Sequence, residues 1–301
     1  MRFSKRGQHA SESLGLVPVY VLKQCRGFVS KICHDGEHDW ARRSDFEGLA
    51  LATLHLNVIG MNKIDPVEAP VGPPVPGFTP PPLPPREVMQ GTYAMLQPLN
   101  AQDHAALLFR VFEGQDQLWR YMYDGPFSSS AQFHRWVRDV ETRDDPLFYA
   151  IKNLETGHWE GVASYLRIAP AAGSIEVGSI TFSPALQQTR AATEAMYLMM
   201  AWAFDAGYRR YEWKCNALNM PSRRAAQRLG FSYEGIFRQA AVVKGHNRDT
   251  AWFAAIDSEW PGLKEAFEAW LSPANFDETG NQLERLGDLT GLVRVASDPL
   301  I

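Results

Sequence analysis

Residues 219–231 read Asn-Met-Pro-Ser-Arg-Arg-Ala-Ala-Gln-Arg-Leu-Gly-Phe, and this stretch predicts a short helix with a signal at each end. Asn219 is a good N-cap, because its side-chain oxygen can accept a hydrogen bond from a backbone N–H of the first turn. Pro221 suits only that first turn, where its missing N–H costs nothing. Gly230 suits the left-handed position that ends many helices. The predicted buried stripe consists of Ala225, Ala226 and Leu229.

The composition is that of a globular protein with a sizeable core: the chain has 301 residues, 45% of them hydrophobic. Its net charge of −4 gives no general attraction to nucleic acid. The three cysteines, Cys25, Cys33 and Cys215, form no Cys-x-x-Cys pair, so we predict neither a disulfide framework nor a bound metal. No apolar run approaches the roughly 18 residues of a membrane helix. We therefore expect no membrane partner and a cytoplasmic location.

Residues 1–60 are predicted to be a poorly ordered leader. Glu12 is the only acidic residue among the first 34, which gives this segment a loose resemblance to a transit peptide. An apolar run in residues 14–22 is broken by Pro18, which weakens a secretory-signal interpretation. The remaining alternatives are an unstructured leader and an upstream extension, with Met61 as a second start.

Residues 61–86 are predicted to be a proline-rich arm or linker, because Pro66 to Pro85 contains ten prolines in twenty residues. Such a segment lacks the backbone donors to join a sheet and favours an extended conformation. It is a spacer, an arm lying on a surface, or a ligand for an SH3-type domain.

From Arg86 onward the chain is well patterned, and its element order predicts an α/β (α+β) fold with a mixed, mostly antiparallel central sheet flanked by helices. We assign residues 87–271 to this domain and 272–301 to a polar C-terminal tail, with one helical patch near 283–286. The predicted strands are 92–99, 147–152, 159–168, 174–182, 209–215, 235–243 and 249–256. The predicted helices are 100–113, 115–121, 131–142, 191–206, 219–231 and 261–271.

The Asn-x-x-Ser motif, the small-residue helix and the Leu-Gly-Phe that follows resemble the late signature of the GNAT superfamily of N-acetyltransferases. Within it they are most similar to the ribosomal-protein N-terminal acetyltransferase type, and the resemblance covers residues 87–260. It implies a GNAT fold and the transfer of an acetyl group from acetyl-coenzyme A to a primary amine. The acceptor is then a protein N-terminal α-amine or a small-molecule amine, and a homodimer stays open.

Residues 183–190 carry the chain from a predicted strand into a helix N-terminus, an arrangement that favours anion binding. In the family the corresponding loop reads Gln/Arg-x-x-Gly-x-Gly/Ala and binds pyrophosphate. Here Gln187, Arg190 and Ala192 match it, with arginine in place of the central glycine. Arg190 could add its guanidinium to the phosphates, or the segment is an ordinary capped helix with Arg190 in solvent. The loop residues that the resemblance assigns to the cofactor are Gln187, Gln188, Thr189, Arg190, Ala191, Ala192 and Thr193.

The resemblance also implies the reactive end of the site. Ile180, Thr181 and Phe182 match the strand whose backbone N–H faces the thioester carbonyl, and this strand splays from the one starting at Arg209, with pantetheine in the gap. Asn219 matches an asparagine that contacts the cofactor arm, and Ser222 matches a serine that protonates the departing thiolate. Helix capping explains both residues equally well.

Glu176 is the first candidate for the catalytic base, because many family members carry a carboxylate on this strand. Strand alternation predicts that Glu176, Gly178 and Ile180 share one face. The alternative is a solvated strand residue. The ribosomal-protein type can carry another glutamate, but the matching position here is Ala241.

Trp119, Tyr121 and Tyr123 are candidates for the acceptor wall, with core packing as the alternative. Residues 244–250, a polar block, are interpreted first as a hairpin turn. The leading function is an N-acetyltransferase. The rivals are a non-catalytic acyl-coenzyme A sensor or scaffold and an interaction module built around the proline arm.

Overall fold

The structure, a computed structural model, describes residues 70–301, of which Val75–Ile301 form one compact unit. The predicted leader and the start of the proline-rich arm, residues 1–69, lie outside the described residues. The domain boundaries proposed from the sequence stay predictions.

Eight described strands form one sheet in the order β1-β2-β3-β4-β5-β6-β8-β7. Only β5 and β6 pair in parallel among them, and every other neighbouring pair is antiparallel. The predicted mixed, mostly antiparallel sheet is therefore confirmed. The strands are β1 Met89–Gln90, β2 Ala94–Pro98, β3 Leu147–Asn153, β4 Trp159–Ala169, β5 Ser174–Phe182, β6 Arg210–Asn216, β7 Ser232–Val243 and β8 His246–Ile256.

The helices follow the predicted order, with differences at their ends. Asn100 caps the first one, but its opening turn, Ala101–Ala105, is π-helical. The second predicted helix, residues 115–121, is only a 3₁₀ turn at Asp116–Trp119. The α-helices are α1 Ala106–Phe112, α2 Ser130–Val140, α3 Arg190–Asp205, α4 Met220–Arg228, α5 Trp260–Leu271 and α6 Leu286–Gly291.

Both faces of the sheet are covered, which explains the unbroken apolar sequence of β3. Leu147, Tyr149 and Ile151 pack in the larger core, together with α3 and α5. Phe148 and Ala150 point to the opposite face and pack in a smaller core with α1 and α2. Because successive strand residues face opposite sides, each residue of this strand from 147 to 151 is buried.

A buried glutamate ties α3 to the start of the sheet. The carboxylate of Glu194 accepts hydrogen bonds from the backbone N–H groups of Thr92, Tyr93 and Ala94, at 2.9, 2.6 and 2.7 Å. A carboxylate that accepts several N–H groups makes strong, charge-assisted hydrogen bonds. The turn between β1 and β2 is thus held to the first turns of α3.

The later part of the proline-rich segment is held to the domain by tyrosine hydroxyls. Tyr149 donates to the carbonyl of Pro85 at 2.6 Å, and Tyr208 donates to the carbonyl of Pro82 at 3.0 Å. Pro81 and Pro84 are buried, whereas residues 70–80 are exposed. Because proline has no backbone N–H, the carbonyls of this segment have few donors nearby. The two tyrosine hydroxyls of the domain supply donors instead.

The last thirty residues pack onto the domain. The helix within them is Leu286–Gly291 rather than the predicted patch near 283–286, and the Leu286 and Thr290 side chains are fully buried. Asp298 makes a two-pronged ion pair with Arg223 of α4, with both N–O distances at 2.6 Å. These side chains are only 0% and 2% exposed. The C-terminus therefore anchors the helix that the motif predicted.

We predict that Asp298→Ala lowers the free energy of unfolding by about 3–5 kcal/mol, because it leaves the Arg223 guanidinium buried without its counter-ion. Denaturant unfolding measures the change. The matched control is Asp257→Ala, which breaks the half-exposed Arg209–Asp257 pair and should cost less than about 1 kcal/mol. Equal losses in the two variants would contradict this account of the C-terminus.

Candidate active site

The site begins where two parallel strands part. β5 and β6 pair only from Ser174–Val177 to Arg210–Trp213, although β5 runs on to Phe182 and β6 to Asn216. Beyond that point β6 keeps its other partner, β8. The second half of β5 therefore has no neighbour on this side, and a cleft opens between the two strands.

An extra residue in β5 marks the point of parting. Ser179 has a φ of +50°. Gly178 pairs with Ser164 and Thr181 pairs with Val162, so β5 contains one residue more than β4 between these two pairs. Such a bulge reverses the alternation of the residues that follow it. Thr181, not Ile180, therefore shares a face with Glu176, and Ile180 packs on the larger core. The prediction that Ile180 shares the face of Glu176 is wrong for this reason.

The cleft has a volume of about 430 Å³ and brings most of the predicted site residues together. The predicted residues along its wall are Trp119, Tyr121, Tyr123, Glu176, Ile180, Thr181, Phe182, Gln187, Asn219 and Ser222. The remaining predicted loop residues, 188–193, lie outside the wall, in the turn and helix that follow Gln187. Within the described chain, the Thr181 hydroxyl is buried and has no hydrogen-bond partner.

Helix α4 presents Ser222 to the cleft from its first turn. Asn219 caps this helix by accepting from the Ser222 backbone N–H at 3.3 Å, as the motif predicted. The Ser222 hydroxyl oxygen accepts a hydrogen bond from Trp213 Nε1 at 3.1 Å. Because this oxygen already accepts, its own proton remains available to donate. The neighbouring Cys215 stays a thiol, since burial raises its pKa to about 11.

The loop before α3 exposes backbone donors at the other end of the cleft. Thr189 caps α3 by accepting from the Ala192 N–H at 3.0 Å. The N–H groups of Gln188, Arg190 and Ala191 donate to no acceptor in residues 70–301. Gln188 has a φ of +62°, which turns the backbone into the helix. Free donors at a helix N-terminus attract anions such as phosphate.

The Arg190 side chain contacts other parts of the protein, which neither alternative predicted from the loop sequence included. Its guanidinium is paired with Glu155 and lies over the rings of Tyr93 and Phe276, at 4.7 and 4.8 Å. This side chain is 30% exposed, and its guanidinium is already engaged by Glu155 and the two rings. Any contribution of this position to anion binding comes from its backbone N–H.

Glu176 lies in an ion-pair network at the centre of the cleft. One carboxylate oxygen contacts Arg167 at 2.8 Å and the other contacts Lys214 at 2.9 Å. Lys214 also contacts Glu212 at 2.6 Å and lies over the Trp252 ring. Burial raises the pKa of Glu176 above its ordinary value, although the two cations oppose the rise. A carboxylate with a raised pKa is a better proton acceptor than an exposed one.

The opposite end of the cleft is formed by the loop around Trp119 and the tip of the β7–β8 hairpin. Lys244 donates to the carbonyls of Trp119 and Asp124, at 2.8 and 3.1 Å. Trp119 is buried in the smaller core, so it serves both packing and the cleft wall. Tyr121 is half-buried and Tyr123 is exposed. The polar block 244–250 is thus a hairpin, as interpreted, that also closes one end of the cleft.

Comparison with known proteins decides the family. The model of the Acetyltransferase (GNAT) domain matches residues 94–232. A GCN5-related N-acetyltransferase from Brucella melitensis is 47% identical over 72% of this chain and all of its own length, with a TM-score of 0.71. The chain belongs to the GNAT acetyltransferase family.

Two further solved GNAT structures extend the comparison. A probable acetyltransferase from Chromobacterium violaceum is 40% identical over 64% of this chain and 98% of its own, with a TM-score of 0.61. RimL, a ribosomal-protein α-N-acetyltransferase in complex with coenzyme A, is 22% identical over 57% of this chain and 99% of its own, with a TM-score of 0.50. The likeness to RimL is one of fold. The search of curated proteins found no match.

The cleft fits the co-substrate that GNAT membership implies. The free N–H groups before α3 suit a pyrophosphate, the parted strands leave edge donors for an extended pantetheine arm, and the Thr181 hydroxyl lacks a partner within the described residues. No helix in residues 70–301 is long and apolar enough to cross a bilayer.

The sequence analysis missed four charged residues that line the cleft: Asp124, Arg167, Lys214 and Arg248. Lys214 follows Glu212 by two residues on β6, a spacing that puts both side chains on one face. That alternation could have revealed the pair. No sequence pattern indicated that Arg167, on another strand, would reach Glu176.

We predict that Lys214→Met destabilises the protein by roughly 3–5 kcal/mol at about pH 7, because it strips a buried cation from two carboxylates. Hydrogen bonds from Lys214 and Arg210 outweigh burial and hold the pKa of Glu212 below its ordinary value. Without Lys214 the pKa of the Glu176 and Glu212 carboxyls rises in the folded protein. The variant is therefore less stable at every pH at which these carboxyls are ionised in the unfolded chain. The deficit should therefore shrink as pH falls toward about 4, where both carboxyls take up protons.

Urea unfolding of wild type and variant at both pH values measures this deficit. The control is Lys152→Met, which removes a lysine whose recorded contact is the Trp159 ring and should show little pH dependence. A Lys214→Met deficit that stays constant between the two pH values contradicts the proposed coupling.

Proposed function

We propose that this protein transfers the acetyl group of acetyl-coenzyme A to a primary amine by direct attack on the thioester. The observation that carries the proposal is the single cleft, between parted strands, that joins Glu176, Thr181 and Ser222. GNAT membership supports the reaction class. The acceptor, the residue roles and a homodimeric state are proposals.

Acetyl-coenzyme A supplies an acyl group activated as a thioester. The free backbone N–H groups of Gln188, Arg190 and Ala191 would hold its phosphates, with Gln187 on the cleft wall. The free edge of β5 at residues 180–182 would hold its arm and polarise its carbonyl. Asn219, as the cap of α4, keeps Ser222 directed at the sulfur.

Two side chains would move the protons. Glu176 accepts the proton that the attacking amine loses, and its buried, raised-pKa carboxylate suits that role. Ser222 donates its hydroxyl proton to the departing sulfur, because its oxygen is already occupied by Trp213. The C–N bond forms and the C–S bond breaks. The proton that Glu176 gains replaces, by way of solvent, the one that Ser222 gives to the sulfur, so both side chains return to their starting states.

The acceptor chemistry favours an α-amine over a lysine side chain. An α-amine has a pKa near 8, so about a tenth of it is neutral at pH 7, whereas a lysine is neutral in only about one part in a few thousand. Burial raises the pKa of Glu176, but Lys214 and Arg167 oppose the rise, so this carboxylate is a base of moderate strength. It suits an amine that needs little help to lose its proton.

Cofactor binding is tested first by thermal unfolding with acetyl-coenzyme A. At about 100 times its Kd the ligand should add about 2.7 kcal/mol to the free energy of unfolding. A thiol-release screen over amines and peptides follows. Binding without turnover of any acceptor would favour the non-catalytic sensor or scaffold, and no binding would remove both interpretations.

We predict that Ser222→Ala lowers kcat by about 10²-fold or more while cofactor affinity changes little, because a positioned acid contributes on that scale. Steady-state kinetics and calorimetric titration separate the two effects. The control is Ser129→Ala, which removes the cap of α2 and should leave kcat unchanged. Equal losses in turnover and affinity at Ser222 would point to a structural role alone.

We predict that Glu176→Gln lowers kcat/KM and removes its acidic limb, because the amide cannot accept a proton. In the wild type that limb should lie above the ordinary glutamate pKa, as burial dictates. The matched control is Glu212→Gln, which removes the other carboxylate contacting Lys214 and should keep the limb. A pH profile unchanged by Glu176→Gln rules this residue out as the base.

A further inference from the structure

Arg248 is a buried cation on β8 that lines the same cleft. Arg248 is only 7% exposed. Its Nε donates to Thr250 Oγ1 at 3.3 Å, and one terminal nitrogen donates to the Tyr121 carbonyl at 3.4 Å. The guanidinium lies 4.8 Å from the ring centre of Tyr123. Since a guanidinium has five N–H donors, most of its hydrogen-bonding capacity is unused by these contacts.

No carboxylate in the described part of the chain forms an ion pair with Arg248. The other strongly buried cations, Lys214 and Arg223, each contact a carboxylate at 2.6 Å. Across the β7–β8 pairing Arg248 is opposite Ala241, which offers only a methyl group. The neighbouring Asp249 belongs to the other face of β8, where it accepts from the Gln239 N–H at 2.7 Å.

A buried, unpaired charge is costly, and an anionic ligand would supply the missing partner. The position of Arg248 indicates which ligand. It lines the cleft with Ser222 and Tyr121, and its charge acts on Cys215, which lies beside Ser222. Since β6 separates β8 from β5 in the sheet, Arg248 reaches the cleft from the side opposite the loop that leads from β5 into α3.

We propose that Arg248 binds an oxyanion group of the acceptor, so that the substrates are amines that also carry a carboxylate. This rests on the proposed function of the cleft. A planar guanidinium pairs with carboxylates and phosphates through two parallel hydrogen bonds. Lys214 cannot take that role, because Glu176 and Glu212 already neutralise it.

The test uses amino acids and related amines with two to six carbons. They are arranged in sets whose members differ only in the acidic group or its neutral replacement. Each set contains a carboxylate, the corresponding neutral amide and a phosphonate of equal length. Calorimetric titration measures their affinity for protein loaded with coenzyme A and for protein without it, and thiol release measures acetylation. The variants are Arg248→Gln and Arg248→Lys. The control is Arg238→Gln, which removes an exposed arginine of the same hairpin.

We expect at least one carboxylate to bind the wild type about 10- to 100-fold more tightly than its amide, the range that charged hydrogen bonds supply. Arg248→Gln should abolish this preference without weakening the amide, Arg248→Lys should restore part of it, and Arg238→Gln should keep it. KM should follow affinity, with kcat changed less. A preference for the phosphonate over the carboxylate would contradict the carboxylate assignment and indicate a phosphorylated amine instead.

Equal wild-type affinity for carboxylate, phosphonate and amide in every set overturns the proposal. So does an equal loss for all three in Arg248→Gln, which would make Arg248 a structural link to the Tyr121 loop. Failure of acetyl-coenzyme A to stabilise the protein contradicts the proposed function instead, and carboxylate binding is then still decided on the unloaded protein.

Discussion

The loss of pairing between β5 and β6 after Val177 and Trp213 is the constraint on which the site depends. A sheet normally satisfies its backbone donors and acceptors through both neighbouring strands. Here the bulge at Ser179 bends β5 away while β6 stays paired to β8. The backbone groups thus released face a cleft instead of another strand. Binding an extended, amide-containing ligand along this edge is the natural way to complete them.

Two internal carboxylates hold the walls of this cleft in place. Glu194 fixes the first turns of α3, and with them the loop of free N–H groups, to the β1–β2 turn. Asp298 fixes α4, which carries Ser222, through Arg223. Neither carboxylate lines the cleft. Their role is positional, and it explains why a C-terminal segment outside the matched family domain still bears on the site.

The sequence predicted the local elements well and the tertiary side-chain partners poorly. Capping residues and hydrophobic periodicity are local features of a sequence. They were therefore enough to predict helix α4, which Asn219 caps, and the strand 174–182. The bulge at Ser179 was missed, although the adjacent Gly178 is a residue type that often marks one, and the bulge reversed the facing of Ile180. The contacts of the Arg190 side chain were missed for a similar reason: Glu155, Tyr93 and Phe276 are distant in sequence. Glu176 was identified, but its cations Arg167 and Lys214 come from other strands.

The buried charges that line the cleft divide into those with ion-pair partners among the described residues and one, Arg248, without. Lys214 and Arg167 surround Glu176, so this group carries little net field toward a substrate, and its effect is to set the proton affinity of one carboxylate. Arg248 lacks such a partner among the described residues, and the facing Ala241 supplies none. The uncompensated buried charge therefore lies at the acceptor end. An anionic acceptor gains from it, whereas a simple alkylammonium ion is repelled, so the same charge that selects a carboxylate also excludes cations without one.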